Sequence, residues 1–411
     1  MIDPIDDPFL IRRAGAVDLA RALTAGRDQS LRLFECTRAA LGGQLDIAYS
    51  ENVNLPLWEL GHLGWFEEFW IARNTERLSG QAARFEAPRA APLLPNADAF
   101  YDSSAVVHAQ RWQLDLPDTK RTLAMLFHGR ERTLRLLHDS PADDNALYFF
   151  RLAVMHEAMH GEAGAMIAQA LGLDIGNRLP VSEPAAAPHA DESADVLAVP
   201  ARTATFGASG RGFVFDNELG EHAVDVAAFE IDSAPVTWGA YLPFIKAGGY
   251  DNARHWSAPG WAWRMRELSS GLPRYIERGG GGQWRRECFG RLVNVDQAQP
   301  AVHLSLHEAQ AWCAWAGRRL PTEHEWTIVR EDHGDAFVWG QVWEWTATPF
   351  SPWPGFAPHP YRDYSQPWFY GRPVLKGGSF ATAPCIKHPG YRNFFTAGRN
   401  DSFAGFRSCG S

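Results

Sequence analysis

The stretch Arg151-Leu-Ala-Val-Met-His-Glu-Ala-Met-His160 carries the strongest structural signal in this chain. It lies in a segment, Ala146 to Leu171, whose apolar residues recur at the three-to-four spacing of a helix and which ends at Gly172. His156 and His160 are four residues apart, so one face of this helix carries both imidazoles. Two imidazoles in this relation can bind one metal ion.

A third histidine lies far upstream, in Trp58-Glu-Leu-Gly-His62-Leu-Gly-Trp65-Phe-Glu-Glu-Phe-Trp70. Three neutral imidazoles without a carboxylate or thiolate leave coordination positions open, which is typical of a catalytic metal site. We therefore expect His62, His156 and His160 to be metal ligands. The alternative is that they are core histidines bonded to carbonyl groups.

The pair also fits the zinc-protease pattern His-Glu-x-x-His, so the spacing alone leaves the metal open. On an ideal helix Glu157 points away from the two histidines. We expect its side chain to be solvated or to support the ligands from outside.

Apolar residues at helical spacing recur through most of the first 175 residues. The segments are 19–23, 31–34, 57–71, 122–137 and 146–171. We expect four principal helices in an up-and-down bundle, whose core can hold a metal between facing helices. The predicted organisation is a helical domain at 1–180, a Pro/Ala/Ser-rich linker at 181–197, and a second domain at 198–411.

The second domain reads as short strands with few helices. Strand-like pieces begin at Ala204 and Gly212, and one clear helix runs from Ser305 to Gly317. Ser305 and Glu308 form a predicted capping box at the start of that helix. The near-pair His303 and His307 is expected at the surface or in caps.

Composition excludes several classes of protein. The chain of 411 residues has a net charge of −9 and shows no basic stripe, so we expect no nucleic-acid partner. No apolar run approaches the roughly 20 residues of a membrane helix, and the acidic N-terminus is unlike a signal peptide. Five cysteines without Cys-x-x-Cys spacing suit a reducing cytoplasm. No obligatory protein partner is evident.

The second domain resembles the formylglycine-generating-enzyme fold, a C-type-lectin-like mixed domain. The resemblance rests on Pro235-Val-Thr-Trp-Gly-Ala-Tyr241, Gly317-Arg-Arg-Leu-Pro-Thr-Glu-His-Glu-Trp326, Val342-Trp-Glu-Trp-Thr346, Lys376-Gly-Gly-Ser-Phe380 and Gly405-Phe-Arg407. It implies an α+β chain and a fold that hosts several activities. Only Cys385 follows the Gly-Gly-Ser motif closely, and Cys409 lies near the end. We therefore expect core thiols rather than a cysteine-oxidising pair.

The first domain resembles the DinB-type metal-binding four-helix bundle. Joined in this order, the two domains are similar to the ergothioneine and ovothiol sulfoxide synthases. The motif around His62, the His156/His160 pair and the aromatic segment Tyr391-Arg-Asn-Phe-Phe395 carry that similarity. It implies iron(II) as the cofactor, O2 as a co-substrate, and bond formation at imidazole C2 of hercynine, the trimethylated betaine of histidine.

The same resemblance implies roles for further residues. Asn393, Phe394 and Phe395 match residues that hold the betaine, and Trp345 is a further aromatic candidate, because a trimethylammonium group is recognised by aromatic faces. Arg392 or Arg399 is a candidate for the substrate carboxylate. A tyrosine near iron is expected to deliver a proton or an electron, and the candidates are Tyr101, Tyr361 and Tyr364.

The donor substrate is predicted from what is missing. Family members that use γ-glutamylcysteine carry an arginine-rich segment after a Phe-Tyr-Glu motif. Here Ala99-Phe-Tyr-Asp-Ser-Ser104 is followed by a segment that keeps only Arg111, and Met159 stands where the ergothioneine type has Gln. Two guanidinium groups suit carboxylates, so their loss favours a neutral donor.

This pattern resembles the selenoneine synthase branch, and we expect a selenosugar donor. The alternatives are an ergothioneine-type sulfoxide synthase that uses cysteine or γ-glutamylcysteine, a zinc-dependent thiol transferase, and a binding protein without catalysis.

Overall fold

A computed structural model describes residues 3–175 and 195–410. The predicted linker, 181–197, lies outside the described residues except for its last three. The first strand of the second unit begins within those three residues, at Val196. In the described part of the chain, no helix combines the length and the apolar character needed to cross a membrane.

Four long helices and one short helix make up the first unit. They are α1 (Ala16–Ala40), α2 (Pro56–Glu67), α3 (Ala97–Tyr101), α4 (Thr119–His138) and α5 (Asp144–Ala170). Helix α1 packs along α5, and α2 packs against both α4 and α5. The arrangement fits the predicted four-helix bundle, although the two predicted segments at 19–23 and 31–34 form one continuous helix. Asp118 and Asp143 cap α4 and α5 by accepting hydrogen bonds from backbone N–H groups of the first turn.

A buried cluster of four charged side chains joins the four long helices. Arg27 of α1 and Arg130 of α4 each bond to Glu67 of α2 and to Glu157 of α5, at N···O distances of 2.6–2.8 Å. All four side chains are less than 10% exposed, and their formal charges cancel. Burial would raise the pKa of Glu67, but the two arginines outweigh it and hold the pKa at about 2.

The expectation that Glu157 is solvated or supports the histidines is therefore wrong. Its side chain does point away from His156 and His160, but the space behind it is the centre of the bundle. The helical periodicity of the sequence correctly predicts that the side chain of Glu157 points away from the two histidines. Only the packing of α1 and α4 against α5 puts two arginines there.

Short strands and four helices make up the second unit. The strands are β1 (Val196–Val199), β2 (Arg202–Phe206), β3 (His222–Val226), β4 (Phe229–Asp232), β5 (Ile276–Arg278), β6 (Trp284–Cys288), β7 (Arg291–Asn294), β8 (Trp343–Pro349), β9 (Pro373–Gly377), β10 (Asn393–Phe394) and β11 (Ala404–Gly405). The helices are α6 (Trp238–Lys246), α7 (Ala258–Glu267), α8 (Leu306–Ala316) and α9 (Glu323–His333). The central sheet has the order β10-β9-β8-β11, with β11 parallel to β8 and the other pairs antiparallel.

Helix α8 begins at the predicted capping box. The hydroxyl of Ser305 accepts from the backbone N–H of Glu308, whose carboxylate accepts from the N–H of Ser305. Gly317 ends the helix in the left-handed conformation, with φ of 66°. The predicted limits of this helix are confirmed.

Two local predictions for the second unit are wrong. The piece from Gly212 to Phe215 forms no strand, because it runs across the bundle. The N–H of Phe213 donates to the carbonyl of Arg12, and the phenyl ring of Phe213 packs against Tyr148 of α5. His303 is buried rather than at the surface, with 5% of its area exposed, between the rings of Tyr275 and Phe403.

The two units are tied by a buried carboxylate. Glu162 of α5 accepts hydrogen bonds from the indole N–H of Trp343 and from the hydroxyls of Ser379 and Thr382 in the second unit. A buried ion pair between Arg12 and Glu218 makes a second tie. Because Glu162 lies two residues after His160, the tie fixes the second unit relative to the histidines.

The four-helix ion cluster should dominate the stability of the first unit. Replacing Glu67 by Gln leaves two buried arginines sharing one carboxylate, which costs about 3–5 kcal/mol in unfolding free energy. We expect Glu67→Gln to shift the chemical-denaturation midpoint strongly.

The matched control is Glu35→Gln, which breaks the exposed pair between Arg38 and Glu35 of α1. That change should leave the denaturation curve nearly unchanged, because exposed ion pairs contribute little. Equal shifts for the two variants would contradict a structural role for the cluster.

Candidate metal centre

The three predicted ligand histidines lie together in the bundle. One ring nitrogen from each of His62, His156 and His160 lies within 4.8 Å of the others. The ring centroids of the three imidazoles are separated by 4.4–5.1 Å. Helix α2 supplies His62, and one face of α5 supplies the other two, as their spacing predicts. Within the described residues this is the one group of His, Cys, Asp or Glu side chains with metal-site geometry.

Hydrogen bonds fix the orientation of two of the rings. The Nδ1–H of His62 donates to the carbonyl oxygen of Tyr101 at 2.8 Å, and the Nδ1–H of His160 donates to the carboxylate of Glu59 at 2.9 Å. Each bond leaves the lone pair of Nε2 free. A carboxylate or a carbonyl behind a histidine is the usual arrangement around a metal-binding imidazole.

The third ring, His156, is held by stacking. It lies parallel to Phe66 with a centroid separation of 3.4 Å, and its buried Nε2 has no hydrogen-bond partner. Burial, together with the nearby His160 and His62, places the pKa of His156 well below its usual range. Burial likewise lowers the pKa of His62, to about 3. Both rings are therefore neutral at physiological pH, as a metal ligand must be.

Glu59 completes the electrostatics of the centre. Burial would raise the pKa of its carboxyl group, but His160, His62 and Arg111 outweigh that effect and hold the pKa at about 2. The centre thus combines three imidazole rings with one adjacent negative charge. This donor set, with an orphaned buried Nε2 and two oriented rings, fits a divalent transition metal with open coordination positions.

The second unit places tyrosines beside the centre. The ring of Tyr361 packs edge-on against Phe66, with centroids 5.0 Å apart, and its centroid lies 6.4 Å from that of His156. The hydroxyls of Tyr364 and Tyr391 lie 2.8 Å apart, and both approach the sulfur of Met159. We call the surface formed by Met159, Tyr361, Tyr364 and Tyr391 the seam.

Two predicted site residues lie elsewhere. Tyr101 packs its ring on the backbone of α2 at Gly61, and only its carbonyl oxygen reaches the centre, through His62. Trp345 is fully buried in the core of the second unit, where its indole N–H donates to the carbonyl of Leu304. Both positions favour structural roles over contact with a substrate.

The predicted betaine-binding residues continue the seam. Phe394 stacks on Phe350 at 4.2 Å, and its centroid is 5.9 Å from that of Tyr364. Asn393 precedes it on β10, and its side-chain oxygen accepts from the N–H of Phe394. Phe395 lies under the guanidinium of Arg399. The structure therefore brings Phe394 within reach of Tyr364, with Asn393 and Phe395 beside it.

The arginines predicted to meet carboxylates are already engaged. Arg392 is fully buried and forms a bidentate pair with Glu323. Arg399 forms a bidentate pair with Asp401. Arg111 lies over Trp58 at 3.8 Å and donates to the side-chain oxygen of Asn54. Trp58 in turn stacks on His62, so Arg111 supports the metal centre from behind.

Residues that motif analysis missed include Glu59, Glu162 and Tyr391. Glu59 was visible in the motif Trp58-Glu-Leu-Gly-His62, but its partner is on another helix, 101 residues away. No local signal marks Glu162 as the tie between the units. Tyr391 stands in the quoted aromatic segment, yet only the fold shows that its hydroxyl faces α5.

Comparison with known families identifies the second unit. Residues 182–339 and 328–410 match the sulfatase-modifying factor enzyme 1-like domain, which agrees with the predicted mixed fold. The formylglycine-generating enzyme of Streptomyces coelicolor is 32% identical over 145 residues, covering 32% of this chain and 46% of that protein.

Two relatives match almost the whole chain. The hercynine oxygenase of Mycolicibacterium smegmatis is 32% identical over 446 residues, and that of Mycobacterium tuberculosis is 33% identical over 440 residues. Each match covers 95% of this chain and 97% of the relative, so both units are shared in the same order. The chain belongs to the hercynine oxygenase family.

Proposed function

We propose that this protein is an iron(II)- and O2-dependent enzyme that joins a thiol donor to imidazole C2 of hercynine, giving a sulfoxide. The observation that carries the proposal is the group of three histidines beside a tyrosine-lined seam between the two units. The family name supports hercynine as the substrate.

The reaction balances with one molecule of O2. The C2–H bond of hercynine and the S–H bond of the donor break, and a C–S bond forms. One oxygen atom becomes the sulfoxide, and the other leaves as water with the two hydrogen atoms. A bound iron(II) would supply the redox chemistry and the open positions for O2 and sulfur.

The protein residues bind and orient the substrates. Phe394 and the neighbouring seam tyrosines offer aromatic faces to the trimethylammonium group of hercynine, which has no N–H to donate. The three histidines present the metal to the same space. Glu59 and the carbonyl of Tyr101 keep two of these rings aimed inward through their Nδ1–H groups.

Tyr361 is the tyrosine we propose as the proton donor. Its ring is the closest of the three candidates to a ligand histidine, and no hydrogen-bond partner of its hydroxyl is found among the described residues. The hydroxyl of Tyr364 is already shared with Tyr391. Burial raises the pKa of Tyr361 well above its usual range, so the hydroxyl holds its proton until the reaction draws on it.

The predicted selenosugar donor finds no support in the comparisons, which favour the ergothioneine-type alternative with a thiol. The position of Arg111 does not bear on the choice between sulfur and selenium. Its guanidinium is occupied by Asn54 and Trp58, so its survival says nothing about the donor.

The two zinc alternatives, a protease and a thiol transferase, require different residues beside the metal. A zinc protease of the His-Glu-x-x-His type uses its glutamate as the general base. Here Glu157 is bonded to Arg27 and Arg130 and faces away from the histidines, so it cannot reach a metal-bound water. A zinc-dependent thiol transferase keeps the same three ligands, and metal analysis separates it from the iron enzyme.

The proposed function is tested by anaerobic loading with iron(II), followed by O2, hercynine and a panel of donors. The panel contains cysteine, γ-glutamylcysteine, a thiosugar and a selenosugar, and mass spectrometry identifies the products. We expect a hercynine–sulfur sulfoxide with an amino-acid thiol, and little product when histidine replaces hercynine. A dominant seleno-product would restore the selenosugar reading, and no hercynine-derived product would refute the proposal.

Removing one ligand should remove the metal without unfolding the bundle. We expect His160→Ala to lose most bound iron and all product formation, because two imidazoles bind the metal far more weakly than three. Metal content by mass spectrometry and circular dichroism provide the readouts. His138→Ala, at the end of α4, is the matched control and should keep its iron. Unchanged iron in His160→Ala would refute the ligand assignment.

Tyr361→Phe should lower kcat for sulfoxide formation by about 10²-fold or more, since a positioned proton donor contributes about 10²–10⁴-fold. Hercynine affinity, measured by calorimetry without O2, should change little. Tyr101→Phe is the control, because the ring of Tyr101 is packed on Gly61 away from the seam. A Tyr361→Phe enzyme with full kcat would exclude the proposed role.

A further inference from the structure

One arginine beside the seam, Arg372, contacts aromatic rings but has no ion-pair partner among the described residues. Arg372 lies directly before β9, and its guanidinium carbon lies 3.9 Å from the ring centre of Trp368 and 5.9 Å from that of Phe394. Among the described residues, no acidic side chain or carbonyl group accepts a hydrogen bond from its guanidinium. The nearby arginines differ, since Arg392 is paired with Glu323 and Arg399 with Asp401.

Backbone hydrogen bonds fix the position of the main chain at Arg372. The N–H of Phe350 donates to the carbonyl of Arg372 at 2.7 Å, and the N–H of Tyr370 donates to the carbonyl of Phe350. Phe350 also stacks on Phe394, whose β10 strand pairs with β9 through Val374. Arg372 and Val374 are two residues apart, so they lie on the same face of the strand. The position of Arg372 beside Phe394 is therefore built into the sheet.

The electrostatic situation of Arg372 is unfavourable without a ligand. Its side chain is half-buried against two aromatic rings, and Arg399 adds a second positive charge nearby. Burial and that repulsion lower the pKa of Arg372 to about 10, so it stays charged at physiological pH. A partly desolvated cation without an anion costs free energy that a bound anion would recover. A guanidinium suits a carboxylate, which it can bind through two parallel hydrogen bonds.

The neighbours of Arg372 indicate what kind of anion it meets. Phe394 offers an aromatic face to a cation, and Arg372 offers a guanidinium to an anion on the same side of the sheet. In an α-amino acid or its betaine, an ammonium group and a carboxylate group are bonded to the same carbon atom. A neutral sugar has neither group. Phe394 lies next to Tyr364, whose hydroxyl approaches the sulfur of Met159, and Met159 directly precedes His160 in the chain.

We propose that Arg372 binds the α-carboxylate of an amino-acid-derived substrate at the outer end of the seam. This inference rests on the proposed function and extends it, because it gives the recognition of carboxylates to the second unit rather than to the bundle. Two substrates of the proposed reaction carry such a group: hercynine and an amino-acid thiol donor.

Calorimetry on the iron(II)-loaded protein without O2 tests the proposal and distinguishes the two sources. The ligands are hercynine, its analogue lacking the carboxylate, cysteine, and 1-thioglucose as a neutral thiol. We expect Arg372→Ala to weaken hercynine or cysteine by about tenfold to a hundredfold, as for a lost charge-assisted hydrogen bond. The analogue without a carboxylate and 1-thioglucose should bind the variant as they bind the original protein, which also shows that the variant is folded.

Two further variants make the result specific. Arg372→Lys keeps the charge but loses the planar fork, so it should restore part of the affinity. Arg278→Ala is the matched control. Arg278 of β5 is exposed and, like Arg372, lies over a tryptophan ring, that of Trp284. It should leave all four affinities unchanged.

A loss confined to hercynine assigns Arg372 to the betaine, and a loss confined to cysteine assigns it to the donor. If Arg372→Ala affects neither carboxylate ligand more than Arg278→Ala does, the inference is wrong. That outcome leaves the proposed function standing, provided that the original protein still forms a hercynine-derived product. If the original protein binds neither hercynine nor cysteine, the proposed function itself fails.

Discussion

The rotation of helix α5 about its axis is the constraint on which the rest of this structure depends. His156 and His160 face α2, where they meet His62. Glu157 faces the other way, into the ion cluster with Arg27 and Arg130. Because consecutive residues are about 100° apart on a helix, turning the histidines away from α2 would pull Glu157 out of its arginines. The ion cluster and the three-histidine group therefore require the same rotation of α5.

The same helix determines how the two units meet. Glu162, two residues after His160, accepts three hydrogen bonds from the second unit. With Glu162 held in this way, Tyr364 and Tyr391 come to lie on Met159, and Tyr361 on Phe66. The bundle supplies three histidine rings, and the second unit supplies hydroxyls, aromatic faces and one guanidinium without an acidic partner among the described residues. Neither unit alone supplies both the histidines and the tyrosines.

Charge pairing within the fold decides which arginines near the seam remain available to bind an anion. Three arginines near the seam already have partners within the protein. Arg392 pairs with Glu323, Arg399 pairs with Asp401, and Arg111 bonds to Asn54 and lies over Trp58. The sequence alone does not distinguish which of these arginines is available to a ligand, since each lies near a motif. The partners of Arg392 and Arg111 come from other segments of the chain, 69 and 57 residues away, so the availability of these two arginines depends on tertiary structure. Arg372 differs because its guanidinium contacts aromatic rings but pairs with no acidic or amide side chain of the described residues.

The sequence by itself determined the local features. Helical periodicity and the spacing of His156 and His160 fixed a shared face, the box at Ser305 and Glu308 fixed the start of α8, and the quoted motifs indicated the mixed fold of the second unit. These features depend on interactions within a few residues of the chain. Tertiary structure alone decided the burial of Glu157, the failure of Gly212–Phe215 to form a strand, the enclosure of Trp345 and the tie at Glu162. Each depends on packing between different segments of the chain, where an isolated motif carries no information about its partner.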